Sequence, residues 1–145
     1  MERLHNFFKL RTRARVLLLV TFILLTSVKC GLRLLPFHRL FKFLNSVSES
    51  FKVVQSANIG EIVWATNVVT RYVPGGAKCL ARALTTQVLM NWHGYKPEFR
   101  IGVAKASAGN LEAHAWIEYQ GFVIIGNLDD LGRFIPLPSL EGIRI

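Results

Sequence analysis

From Cys79 to Trp92 the chain carries a single charge, Arg82, directly after a hard break at Pro74-Gly75-Gly76. Leu80, Ala83, Leu84 and Val88 recur at three- and four-residue spacing, which predicts a helix. So little charge predicts that the helix is buried on most sides, at the centre of a fold and not on its rim. Gly94 supplies a residue suited to ending it, and Pro97 prevents continuation.

After Pro97 the period changes. Glu98 to Ala104 alternates as a strand does, and Ser107-Ala108-Gly109-Asn110 reads as a turn. Ala113 to Tyr119 forms a second strand, Gln120-Gly121 a tight turn and Phe122 to Ile125 a third strand. Turns this short imply antiparallel pairing. Before the break, Ile59, Ile62, Val63, Val68, Val69 and Tyr72 allow a helix that Gly60 weakens. The predicted class is α+β: N-terminal helices, one central helix and a small antiparallel sheet.

The chain has 145 residues, enough for one domain with a real core, and 51% of them are hydrophobic, which excludes a disordered chain. The chain divides into a basic, apolar, helical region at 1–52, part of the same domain or a docking subregion of it, and a core at 53–145. Residues 1–52 hold ten Lys/Arg against Glu2 and Glu49, and the remainder is nearly balanced. Such a region suits an acidic partner, a nucleic acid or an anionic membrane surface. Nothing in it matches a nucleic-acid fold, so no nucleic acid is expected. Val16 to Val28 is uncharged but shorter than a bilayer span, and Thr26-Ser27-Val28-Lys29-Cys30 lacks a small-x-small cleavage pattern. It reads as a core or partner-facing helix, with membrane contact through residues 16–28 left open. Phe37 to Leu44, with Leu40, Phe41 and Leu44 on one face, reads as a second helix ending at Asn45-Ser46, and residues 45–52 as a polar connection or helix start. Cys30 and Cys79 form no CxxC, which argues against a disulfide framework or a cysteine-based metal site and suits a reducing, cytoplasmic setting.

Cys79 sits at the first turn of the central helix. Unpaired N–H groups and partial positive charge at a helix N-terminus stabilise a thiolate and can hold the oxyanion of an acyl intermediate. Alone, an unpaired cysteine is more often a small buried hydrophobe. His114 strengthens the case: in Glu112-Ala113-His114-Ala115-Trp116-Ile117-Glu118 it lies on a strand, on the side of Trp116. His5 and His38 lie in basic amphipathic stretches and His93 ends a helix, so their claims as a base are weaker. A Cys–His pair works best with a third group that fixes the imidazole tautomer. A hairpin through Gln120-Gly121 returns Ile125 to Asn127 beside His114, so Asn127 is the first candidate and Asp129 the alternative, with Asp130 close by.

Gly75-Gly76-Ala77-Lys78-Cys79-Leu80-Ala81-Arg82-Ala83-Leu84, then Arg100-Ile101-Gly102-Val103, then Ala113-His114-Ala115-Trp116-Ile117-Glu118 with Gly121 following, resembles the transglutaminase-like family of lasso-peptide biosynthesis. The resemblance runs from about Arg71 to Leu137, and Leu34 to Leu40 resembles the family's start. It implies a papain/transglutaminase-like core and a leader peptidase, the protease half of a protein that is fused in other clusters. Cys79 would attack the bond joining leader and core of a ribosomally made precursor, and His114 would accept and return the proton. The family commonly has Asp as third member, where this chain aligns Asn127. No cofactor or metal is implied. The implied partners are the precursor peptide, a small leader-recognition protein and an ATP-dependent lasso cyclase. Two rival readings are acyl transfer on the same fold and a non-enzymatic basic module acting through residues 1–52.

Overall fold

The computed structural model describes residues 12–50 and 57–137; His5, the start of the basic region and residues 51–56 lie outside them. Four helices come first: α1 (Thr12–Leu34), α2 (Phe37–Ser50), α3 (Ile59–Tyr72) and α4 (Cys79–Trp92). Strands β1 (Glu98–Lys105), β2 (Leu111–Tyr119) and β3 (Phe122–Ile125) follow, then a 3-10 turn at Leu131–Arg133 and the short β4 (Ile135–Pro136). The sheet is antiparallel in the order β3-β2-β1-β4. The class is α+β, as the alternating patterns require.

The central helix runs over the expected residues. Ala81, Ala83, Leu84, Val88, Leu89 and Met90 are all buried, with α1, α2 and α3 on one side and Ala115, Ile117 and Ile125 of the sheet on the other. The run at 16–28 is the middle of a longer helix, whose inner residues Leu17, Leu18, Leu24, Leu25 and Val28 join the same core. By length and composition α1 could cross a bilayer, yet a third of its most apolar stretch is buried inside the protein.

One expectation needs correcting. The second helix does not end at Asn45-Ser46 but continues to Ser50, so residues 45–50 are helical rather than a connection. The far end of α4 holds this polar tail: the Trp92 indole donates to the Val47 carbonyl (3.3 Å), and Asn91 donates to the buried Ser48 hydroxyl (3.4 Å). The helix that the apolar residues before the break allow is present, from Ile59 to Tyr72. Asn58 accepts from the Glu61 N–H (2.8 Å) while the Glu61 carboxylate accepts from the Asn58 N–H, a reciprocal cap that starts α3 in spite of Gly60.

Candidate active site

The loop entering α4 is fixed from outside. Gly75 (φ +76°) and Gly76 (φ +69°) are both left-handed, a conformation other residues adopt at a cost, and they turn the chain sharply after Pro74. The Lys29 ammonium of α1 donates to the Pro74 carbonyl (2.8 Å) and to the Gly76 carbonyl. Lys78 is then the N-cap, in extended conformation and with no side-chain cap, so the first-turn N–H groups of α4 are not taken by a capping side chain. Cys79 opens the helix, half-buried and free; Cys30 is free too, and exposed on α1.

His114 stands on β2 opposite Gly102 of β1, on the sheet face that carries Trp116. Its ring lies 6.0 Å from that of Trp116, within 18° of parallel, and 5.6 Å from that of Phe134. These apolar rings restrict the imidazole, and one hydrogen bond completes its orientation: Nε2 lies 2.6 Å from the Gly126 carbonyl oxygen. A carbonyl only accepts, so Nε2 carries the hydrogen and Nδ1 is left as the basic nitrogen of the neutral ring.

That partner comes from a turn at the end of a bulged strand. Tyr119 pairs with Phe122 and Glu118 with Val123, but Ile117 then pairs with Ile125, leaving Ile124 as the extra residue of a bulge. A regular hairpin would have brought Asn127 opposite His114. The bulge moves the strand on by one, and Gly126 (φ +89°) turns the chain so that its carbonyl meets the imidazole. Gly126 also passes hard against β2: a Cβ there would fall 2.8 Å from the Ala115 carbonyl oxygen and 2.8 Å from the Trp116 Cβ.

Cys79 and His114 line one open cleft of roughly 270 Å³, together with Asn67, Arg82, Ile124, Gly126, Asn127 and Leu128. Asn127 is thus on the cleft wall and exposed; Asp129 is exposed and not among the lining residues. Asp130 lies below the usual carboxylate range chiefly because Arg133 donates to it (2.7 Å), with a minor attraction from His114. His93 has a structural task, accepting the Ala57 N–H on Nδ1 (3.0 Å).

Three features in or next to this cleft have no role in the sequence patterns. The Gly126 carbonyl had a signal, since a lone glycine leaving a strand marks a bulge or a close approach. Arg82, one helical turn beyond Cys79, donates to the Asn67 side chain of α3. Burial pulls its guanidinium below the ordinary arginine value, an effect partly opposed by its electrostatic interaction with Cys79, so a cation stands near the sulfur. Lys29 is the third, in the helix that seemed least connected with chemistry. Among the described residues no cluster of three or more His, Cys, Asp or Glu side chains forms. The arrangement suits nucleophilic attack by sulfur, with proton transfer by one imidazole.

A family model described as the transglutaminase-like superfamily matches residues 22–139, most of the chain. Neither a curated protein nor a solved structure matches it.

Proposed function

The chain belongs to the transglutaminase-like superfamily, and from that premise we propose that it is a cysteine peptidase that removes the leader peptide from a ribosomally synthesised lasso-peptide precursor. The superfamily includes cysteine peptidases and acyltransferases, both of which begin with a thiolate. The observation that carries the proposal is the shared cleft: Cys79 at an uncapped helix start, and His114 with its Nε2 hydrogen committed to Gly126. The motif resemblance around Cys79 and His114 supports the choice of substrate.

In this reading His114 Nδ1 takes the thiol proton, and Cys79 Sγ attacks the carbonyl carbon of the last leader residue. The oxyanion is stabilised by first-turn N–H groups of α4. The C–N bond breaks as the imidazolium returns its proton to the nitrogen, so the core leaves with a free amine and the leader stays as a thioester. Water then attacks, His114 accepts its proton, and the thiol is regenerated as the leader carboxylate departs. Gly126 fixes the imidazole tautomer in this scheme, and Asn127 on the cleft wall takes a supporting place, with Asp129, beyond the lining residues, as the alternative. The partners are a small leader-recognition protein that delivers the precursor and an ATP-dependent cyclase that takes the core; the setting is cytoplasmic.

The test is to incubate the protein with precursor and recognition protein and to read product masses. Wild type yields free leader and core, and Cys79→Ala yields neither. A leader mass joined to an added amine, in place of free carboxylate, would move the assignment to acyl transfer. Leader removal by Cys79→Ala would end it.

A further inference from the structure

The outward face of α1 is apolar, and neither the core nor the cleft uses it. Leu19, Ile23 and Leu34 lie along it, 53%, 64% and 81% exposed, while Val16 and Val20 at its edge line a cavity shared with Glu61 of α3 and Trp92 of α4. The opposite face is already apolar and buried, so the helix has two apolar sides and the fold needs only one. Contiguous exposed apolar surface of this kind marks a contact. Ser27, the polar residue within the stripe, turns its hydroxyl back onto the Ile23 carbonyl (2.7 Å) and so presents no unpaired donor outward.

Charge tells what covers it. From Thr12 to Ser48 the sequence holds Arg13, Arg15, Lys29, Arg33, Arg39 and Lys42 and no Asp or Glu. Lys29 is turned inward to the loop before Cys79, whereas Arg13, Arg33, Arg39 and Lys42 are exposed. Arg13 and Arg33 stand near the two ends of α1, about 30 Å apart at 1.5 Å per residue, so cations bracket the apolar stripe that holds Leu19 and Ile23. An apolar ridge with a cation near each end complements a plane of anionic headgroups over acyl chains. A spanning mode is excluded by the inner face, because Leu25 and Val28 pack into the protein core.

We propose that α1 seats this protein on an anionic lipid bilayer, lying in its plane, with Leu19 and Ile23 at the acyl boundary and Arg13, Arg33 and Arg39 among the phosphates. The cleft chemistry plays no part in this, so the proposal stands apart from the peptidase assignment.

The experiment is co-sedimentation of the full chain with phosphatidylcholine vesicles with and without phosphatidylglycerol, at low and raised salt. Wild type pellets with the anionic vesicles and is released by salt. The double variant Leu19→Ser/Ile23→Ser, checked as folded by circular dichroism, loses about tenfold or more in partitioning. Wild type remaining in the supernatant with anionic vesicles would overturn the proposal. So would undiminished binding by the folded double variant. Self-association of wild type without lipid, abolished by the same two substitutions, would also overturn it by assigning the face to a second copy of the chain.

Discussion

At the scale of single residues, the third group beside the Cys–His pair turns on one position along the chain. Asn127 lines the cleft, but the His114 ring is bonded to the carbonyl just before it, on Gly126. A backbone carbonyl survives any side-chain change at Asn127, so Asn127→Ala is expected to keep cleavage within about tenfold of wild type. Gly126→Ala meets two obstacles together: a left-handed φ, and a Cβ pressed onto the Ala115 carbonyl and Trp116. Relief requires the loop to move, at a cost on the order of 1–3 kcal/mol of stability. Because the moving atom is the one that orients His114, cleavage falls by about a hundredfold or more even in the fraction that remains folded. Steady-state cleavage and urea denaturation of the two variants, measured side by side, check both halves. Equal losses at Asn127 and Gly126 would return the orienting role to the amide side chain.

At the scale of elements, what was legible follows from how much each pattern repeats. The α4 helix declared itself by apolar spacing, and the Pro and Gly residues around it set its ends. The hairpin was equally plain, but its register was not. Phe122 to Ile125 is apolar at every position, so no alternation indicates which residue faces inward or that Ile124 is extra. The tail of α2 was hidden for another reason: its polar residues are held by Asn91 and Trp92, more than forty positions away. The turn after Gly126 is fixed by charge that no periodicity reports. Arg133 bonds both Asp130 and Glu112 of β2 and lies over the Phe134 ring, tying the segment behind His114 to the sheet. The Asp130 carboxyl is held below its unfolded value of about 3.9, so its contribution is present above that pH and lost as the pH falls through the folded value. Acid therefore loosens the turn. Hydrogen exchange at the Arg133 and Phe134 amides is expected to be slower in wild type than in Asp130→Asn at about pH 5–6, and the difference to shrink as the pH is taken down past the unfolded value and through the lower folded one. A difference unchanged across that range would show that the carboxylate does not hold the turn.

At the scale of the whole molecule, α1 ties the basic N-terminal region to the rest of the fold. Its inner face is in the same apolar cluster as α4 and the sheet, its Lys29 holds the loop before Cys79, and the family match begins within it at residue 22. If α1 were only an appendage, inner-face substitutions would leave the rest of the fold intact. Leu25 is fully buried beside the central helix, so Leu25→Ala removes core contacts and leaves a cavity, which costs about 2–5 kcal/mol. The loss should appear in one cooperative transition shared by helix and sheet signals, because the cluster is continuous. Ile23, two residues away on the outward face, has no such partners, and Ile23→Ser is expected to change stability by less than about 1 kcal/mol. Urea denaturation followed by far-ultraviolet circular dichroism and tryptophan fluorescence separates the two. Coincident curves with the large loss at Leu25 alone make α1 an integral wall of the domain. An early separate transition in Leu25→Ala would make it a detachable arm, and the anchoring of the Cys79 loop by Lys29 would then be a contact the enzyme could do without.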